Sequence, residues 1–236
     1  MNATHRVEPD DRSTPNPLST QTHPGGANSP HPIRIRAAHA SDTDAVVELV
    51  SLIDLHLPAS EVPQALAPMR GVLAAEHSQP LTHGCNLILI AETHDGQPVG
   101  AITCGPPLWI AHHPRIPRFM TTMLLRRISA VHGLAVQPSH RGQGIARNLL
   151  RTAELALTRA DYTILTLRHD RDLKTYYVPL GYTSADRLVI DLPPIGPITL
   201  KEQDWDFAVK PLSPQVSFTT RAGFRTPVVT GALTQA

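Results

Sequence analysis

Two glycines, Gly142 and Gly144, join a short apolar segment to a long amphipathic one, and this junction restricts the possible folds more than any other feature of the chain. The preceding residues, HGLAV, read as a strand. Apolar residues then recur every three or four positions, as on one face of a helix: Ile145, Leu149, Ala153, Ala156 and Leu157. A helix exposes unpaired N–H groups in its first turn, and glycine lets an anion approach them closely. The junction therefore predicts an α/β domain with a phosphate-binding loop at residues 141–146.

Three kinds of phosphate-binding loop compete for this segment. A P-loop needs a Lys followed by Ser or Thr, and no such pair follows Gly144. A dinucleotide-binding fingerprint needs a third glycine, where this chain has Arg147; Asp170, after the next strand, is a partial match that leaves this alternative open. The pattern R-x-x-G-x-G/A is complete, with Arg141, Gly144 and Ala146 in its defined positions.

Two segments resemble motifs of the GNAT superfamily of N-acetyltransferases. GLAVQPSHRGQGIARNLL resembles the acetyl-CoA-binding motif of that superfamily, and LKTYYVPLGY resembles its second motif. The resemblance covers roughly residues 33–211. It implies an α/β GNAT fold, with a mixed central sheet of six to seven strands and helices on both faces. It also implies an acyl-CoA-dependent N-acyltransferase that uses acetyl-CoA as its acyl donor.

The resemblance implies roles for particular residues in binding acetyl-CoA. Backbone N–H groups of the loop would hold the diphosphate, and the loop comprises Arg141, Gly142, Gln143, Gly144, Ile145 and Ala146. The strand before it would carry the pantetheine arm, with a bulge at Gly133. Leu134 N–H would face the thioester carbonyl, and Val136 would pair with the pantetheine amides. Asp170 stands where many members have an Asn that contacts the cofactor.

The resemblance also identifies candidate catalytic residues. Tyr177 matches the tyrosine that protonates the departing thiolate, although a packing role is the alternative. AVHGLAV resembles the HLHALAV strand of arylalkylamine acetyltransferases and keeps its second histidine, His132, as a candidate base. His132 could instead be a buried structural histidine, and Glu92 is a second candidate base. Neither Cys85 nor Cys104 lies in a nucleophile context, so we expect a sequential mechanism without an acyl-enzyme.

The acceptor is less constrained. We expect the primary amine of a small molecule, because the long segment 105–127 would close the groove over the sheet. A protein acetyltransferase that acts on lysine or an N-terminus is one alternative, and a non-catalytic acyl-CoA-binding regulator is another. A formal net charge of +1 argues against broad nucleic-acid binding. His112 and His113 lack further ligands for a metal site, so we predict no metal.

The remaining expectations concern organisation and location. Residues 1–31 are rich in Pro, Ser and Thr and predict a disordered leader. The GNAT domain is expected at 32–212, followed by a tail of uncertain structure at 213–236. The pattern of residues 182–192 predicts a single strand. The proline-rich segment 106–127 predicts a loop with a short helix. No segment approaches the about 20 apolar residues that span a bilayer. We therefore expect a cytoplasmic protein without membrane partners, and a homodimer would use residues 190–236.

Overall fold

A computed structural model of the chain describes residues 33–53, 58–74 and 86–233, and the predicted leader lies outside them. The described residues contain eleven strands: β1 (Arg34–Ala37), β2 (Leu87–Glu92), β3 (Pro98–Gly105), β4 (Ile128–Val136), β5 (Ile164–His169), β6 (Thr183–Ala185), β7 (Leu188–Leu192), β8 (Gly196–Leu200), β9 (Asp206–Pro211), β10 (Ser217–Thr219) and β11 (Val228–Thr230). They also contain six α-helices: α1 (Thr43–Ser51), α2 (Val62–Ala74), α3 (Leu108–His112), α4 (Arg118–Leu125), α5 (Ile145–Arg159) and α6 (Lys174–Tyr177).

Seven strands form the central sheet, in the order β1-β2-β3-β4-β5-β9-β6. Strands β4 and β5 are parallel, and the other neighbouring pairs are antiparallel. One face packs against α1 and α2 through residues such as Ile90 and Ala101, and the other packs against α5 through Val99 and Ile102. The predicted mixed α/β sheet with helices on both faces is therefore confirmed.

The centre of the sheet is opened by a bulge in β4. Thr103 lies opposite Gly133, but Cys104 lies opposite Val131, so His132 is the extra residue. The bulge therefore lies at His132, one residue before the predicted position at Gly133. Pairing between β4 and β5 ends at Val131 and Leu167, and the last five residues of β4 have no strand beside them on that edge. The two strands diverge from this point and leave a gap.

A second sheet of four strands has the order β10-β11-β7-β8. The single strand predicted over 182–192 is wrong, because β6 belongs to the central sheet and β7 to the second one. The chain passes from one to the other at Asp186 and Arg187, whose side chains pair with each other at 2.7 Å in a surface bend. The tail beyond residue 212 contributes β10 and β11, and Val229 is buried with Ile164 of the central sheet.

The segment 106–127 contains two short helices rather than one. Pro107 and Pro117 directly precede α3 and α4, where proline's fixed φ favours the start of a helix. Ile110, Met120 and Leu124 are buried between these helices and the second sheet. Leu108 and Trp109 of this segment thereby line one cavity together with Val131 and Leu167, the last paired residues of β4 and β5.

Candidate active site

The gap between β4 and β5 opens into a cleft of about 190 Å³. We call it the central cleft. Its walls come from the ends of both strands, from α6 and from the segment before β9, and include Leu134, Asp170, Leu173, Tyr177 and Trp205. The cleft thus brings together the strand before the glycine loop and the tyrosine motif, which the sequence singles out separately.

Backbone groups of β4 face this cleft. Gln137 N–H donates to Val99 O at 2.8 Å, so residue 137 points its amide toward β3. Because amides alternate along a strand, the N–H groups of Leu134 and Val136 point the other way, into the gap. Arg141 Nε donates to Val136 O at 3.1 Å across the same edge. The two amides to which the GNAT resemblance gives the thioester and the pantetheine therefore lie on the open side of β4.

The glycine loop lies at the start of α5. The first intrahelical bond joins Asn148 N–H to Gly144 O at 3.0 Å, which leaves the N–H groups of residues 145–147 without a helical acceptor. Gly142 and Gly144 both have a φ of +77°, a conformation that L side chains rarely adopt. A Cβ at either position would meet no atom within 4 Å. Open space beside exposed amides fits the diphosphate of a coenzyme A thioester.

Side chains of the loop build its shape. Ile145 is buried and Ala146 is half-buried, and both pack into the core beneath the sheet. Gln143 is exposed, and Arg141 uses its Nε to hold the end of β4. Residues 141–144 are exposed, and the two glycines among them present only main-chain atoms, as expected for a loop that binds an anion through its amides.

Tyr177 lies in the wall of the central cleft and is only 7% exposed. Its ring lies 5.0 Å from the His169 ring, 5.1 Å from Tyr176 and 5.8 Å from Tyr182, measured between centroids. Burial, then the neighbouring Tyr176 and Asp170, raise the pKa of its hydroxyl well above the ordinary value. Tyr177 is thus a fixed phenol that keeps its proton at neutral pH.

His169 is a site residue that sequence reasoning missed. It is 1% exposed, and its Nδ1 lies 2.6 Å from Asp170 O, a carbonyl that only accepts, so Nδ1 carries the proton. In the neutral ring, Nε2 then accepts from the Ser184 hydroxyl at 2.9 Å. His169 therefore fixes the end of β5 beneath Tyr177. The bond to Ser184 joins two strands that are 15 residues apart in sequence, so no local pattern in the chain carries a signal for it.

His132 is exposed at the mouth of the central cleft. His132 forms a hydrogen bond with the backbone of Pro106. Because proline has no backbone N–H, its carbonyl oxygen accepts this bond and a ring nitrogen of His132 donates it. Partial desolvation of the ring lowers the pKa of His132 and the nearby Arg168 lowers it further, whereas the Pro106 bond opposes them. The imidazole is therefore neutral at pH 7, with one ring nitrogen held and the other able to accept a proton.

Glu92, the second candidate base, lies elsewhere. Its carboxylate pairs with Arg34 Nε and Arg36 Nε, each at 2.9 Å, between β1 and β2. It does not line the central cleft. The structure therefore brings His132 and Tyr177 to one cleft and places Glu92 apart from them.

A second cavity of about 110 Å³ adjoins the central cleft, and we call it the side pocket. Leu108 and Trp109 of α3 wall one side, and Phe207 and Glu202 wall another. Four residues line both cavities, namely Val131, His132, Leu167 and Arg168. The two cavities therefore meet at the point where β4 and β5 diverge, with His132 between them.

Cys104 is buried, and burial raises the pKa of its thiol to about 12. Cys85 lies outside the described residues. Within the described ranges, no group of three or more His, Cys, Asp or Glu residues is placed to hold a metal ion. In the same ranges, no helix has the length and apolar character needed to cross a membrane.

Comparisons with known proteins agree with this architecture. Residues 84–184 match the model of the acetyltransferase (GNAT) domain family. An N-acetyltransferase of the GNAT family, YhbS from Escherichia coli in complex with CoA, is 19% identical, with 85% of this chain and 90% of that chain covered and a TM-score of 0.52. The PaiA N-acetyltransferase from Thermoplasma acidophilum, in complex with coenzyme A, is 14% identical, with 76% of this chain and 99% of that chain covered and a TM-score of 0.52. A GNAT-family acetyltransferase from Staphylococcus aureus is 15% identical, with 77% of this chain and 100% of that chain covered and a TM-score of 0.51. No curated protein sequence matches the chain.

Proposed function

The chain belongs to the GNAT superfamily, and on this basis we propose that it transfers the acetyl group of acetyl-CoA directly to the primary amine of a small molecule. One observation carries the proposal: a cleft edged by free backbone amides meets a separate pocket at His132. Two reactants could thus approach the same point from different sides. Holding both in place supplies much of the acceleration in such a reaction.

Acetyl-CoA supplies an activated acetyl group, and a C–N bond to the amine forms as the C–S bond breaks. The loop of residues 141–146 binds the diphosphate through its amides, and the edge of β4 binds the pantetheine arm. Leu134 N–H donates to the oxygen of the thioester carbonyl as it becomes negative, a contribution of about 3 kcal/mol in comparable sites. These roles depend on main-chain groups, so they are compatible with many side chains.

Proton transfers fall to His132 and Tyr177. An alkylamine with a pKa near 10.4 costs about 4–5 kcal/mol to deprotonate at pH 7. The lowered pKa of His132 keeps the imidazole neutral, so it accepts that proton directly or through a water. Tyr177 keeps its own proton and donates it to the departing thiolate.

Two features support direct transfer to a small acceptor. The buried Cys104 thiol, with its raised pKa, is a poor nucleophile and argues against an acyl-enzyme. The side pocket is small, about 110 Å³, and Leu108 and Trp109 of α3 form one of its walls. A folded protein or an extended peptide would need an open groove there.

The test is thiol release from acetyl-CoA across a panel of small amines, with peptides as the competing acceptors. Tyr177→Phe should lower kcat about 100-fold with little change in KM, because it removes only the proton donor. Tyr176→Phe is the matched control. The Tyr176 hydroxyl is buried without a partner among the described residues, so its loss should leave kcat within about twofold. Equal effects of the two substitutions would assign Tyr177 to packing.

A further inference from the structure

We infer that the acceptor is an α-amino acid with an apolar side chain, whose carboxylate is bound by Arg168 and whose amine lies beside His132. The inference rests on the proposed function and names the class of amine used at that same site. Its basis is the charge and shape of the side pocket.

Arg168 supplies the positive charge of this site. Among the described residues that line the central cleft or the side pocket, it is the only Arg or Lys. It follows Leu167, the last residue of β5 that pairs with β4, just as His132 follows Val131 on β4. Arg168 and His132 therefore lie at the same level on opposite sides of the gap, which suits an amine and a carboxylate carried on one carbon atom.

The guanidinium is held in place but remains open to exchange. Arg168 pairs with Glu202 at 2.7 Å, and the two side chains are 55% and 38% exposed. Exposed ion pairs contribute little free energy, so a substrate carboxylate can replace Glu202 with little loss. The Trp205 ring lies 5.8 Å from the guanidinium carbon and keeps the side chain over the cleft. Arginine binds a carboxylate through two parallel hydrogen bonds, a geometry that lysine does not offer.

The rest of the pocket suits an apolar group. Leu108, Trp109 and Phe207 form its walls, and Leu108 is 65% exposed although it is a large apolar residue. Glu202 is the one carboxylate among the described residues of the side pocket, and Arg168 already pairs with it. A polyamine would bring a second ammonium group into a side pocket whose one described carboxylate, Glu202, already pairs with Arg168. The side chain of an apolar amino acid would pack against these walls while its carboxylate pairs with the Arg168 guanidinium.

Three matched acceptors test the inference: phenylalanine, phenylalanine amide and phenethylamine. They share an amine and an aromatic body, and only the first has a carboxylate. We expect phenylalanine to have a KM at least tenfold below those of the other two. Leucine, with its amide and isoamylamine, repeats the comparison with an aliphatic body.

Variants assign the effect to Arg168. Arg168→Met should remove the preference for the carboxylate, and Glu202→Gln should lower the KM for phenylalanine by freeing the guanidinium. Arg171→Met is the control, because Arg171 pairs with Asp206 at 3.6 Å and lines neither cavity. Should Arg168→Met fail to fold, Arg168→Lys, which keeps the charge but not the two parallel bonds, should weaken the preference.

Calorimetry with phenylalanine separates this inference from the proposed function. Binding that Arg168→Met abolishes, without any acetyl transfer, would support Arg168 as the site of the carboxylate and contradict the proposed function. Acetyl transfer to all three acceptors with equal KM, in both the parent protein and Arg168→Met, would overturn the inference and leave the proposed function standing. Failure of phenylalanine and leucine either to bind or to react would also overturn it.

Discussion

His132 is the extra residue of the bulge in β4, so its side chain is not bound by the regular alternation of a strand. The ring is therefore not directed into the core, and it lies at the mouth of the central cleft. The bulge also ends the pairing of β4 with β5, which frees the amide of Leu134. One irregularity therefore supplies both the candidate base and the candidate oxyanion donor.

His132→Gln tests the base, because glutamine keeps hydrogen-bonding capacity but does not titrate near neutral pH. The turnover of the parent protein should fall as pH drops through the pKa of His132, which lies below the ordinary value of 6.5, because only the neutral ring accepts a proton. The variant should lose this acid limb and about 100-fold in kcat at pH 7.5. Stopped assays of kcat from pH 5 to 9 measure both effects, with His112→Gln, an exposed histidine outside both cavities, as the control.

Residues inside contiguous motifs could be predicted from the sequence, whereas residues defined by contacts across the fold could not. The glycine loop and Tyr177 are marked by local patterns; the loop follows the open end of β4, and Tyr177 lines the central cleft. The partners of His132 and His169 come from other elements, such as Pro106 and Ser184. No spacing along the chain predicts such hydrogen bonds, because the sheet register creates them.

At the scale of elements, the turn between β4 and α5 works through backbone conformation rather than through side-chain chemistry. Two glycines with positive φ end the turn of residues 137–144, which joins the open end of β4 to the first amides of α5. A strand–loop–helix pattern is visible in sequence because all its parts are adjacent. In the second sheet, β10 and β11 have only three residues each. Such short strands show no alternation of apolar and polar residues, so the sequence does not predict them.

Gly144→Val tests the loop against a matched glycine. Gly96, in the turn between β2 and β3, has a φ of +81°, and a Cβ there would meet no atom within 4 Å, as at Gly144. Valine should cost about 1–2 kcal/mol of stability at either site, because both conformations are left-handed. Only Gly144→Val should weaken acetyl-CoA binding, by about 100-fold or more, as measured by calorimetry. Equal affinities in the two variants would rule out the loop as the diphosphate site.

The ion pairs that join β1 to the turn before α1 give a second element-scale prediction. Arg36 donates to Asp42 at 2.7 Å and to Glu92 at 2.9 Å, and the three side chains are at most 24% exposed. The Arg36 hydrogen bond lowers the pKa of Asp42 against the opposing effect of burial. Arg36→Met leaves the buried Asp42 carboxylate without its cation and leaves Glu92 with Arg34 alone, so we expect a loss of about 3 kcal/mol in the free energy of unfolding at pH 7.

The pH dependence follows from the direction of that shift. The stabilisation by Asp42 is complete above its unfolded pKa of about 3.8 and is lost as pH falls through the lower folded pKa. The difference between Arg36→Met and the parent protein should therefore shrink below pH 4 in urea titrations. Arg70→Met is the control: Arg70 pairs with Asp44 at 2.7 Å, but these side chains are 53% and 92% exposed, so the change should be under about 1 kcal/mol.

On the scale of the whole molecule, the second sheet shares its core with the central sheet. Residues from β4, β5 and β9 and residues from the tail belong to one buried cluster, which includes Ile128, Ile164, Phe207, Val216 and Val229. The Thr163 hydroxyl, just before β5, also donates to Ala232 O at 3.4 Å. Most of the central sheet was predictable because β2, β3 and β4 lie in patterned segments of six to nine residues, whereas β6 has only three residues. The second sheet was not, since β7 and β11 are parallel neighbours that lie far apart along the chain.

This shared core predicts that both sheets unfold together. Val229 is 1% exposed, and Val229→Ala should lower the free energy of unfolding by about 2 kcal/mol through lost burial and a small cavity. Val178→Ala, at a valine 47% exposed, should change it by less than about 0.5 kcal/mol. Trp109 lines the side pocket and packs against the shared cluster, whereas Trp205 lines the central cleft, so their fluorescence reports both the cluster and the site. In urea, circular dichroism and tryptophan fluorescence should give coincident transitions in both variants, and Val229→Ala should shift both midpoints equally. An early transition in circular dichroism, with the fluorescence change unmoved, would mean that the second sheet folds apart from the site.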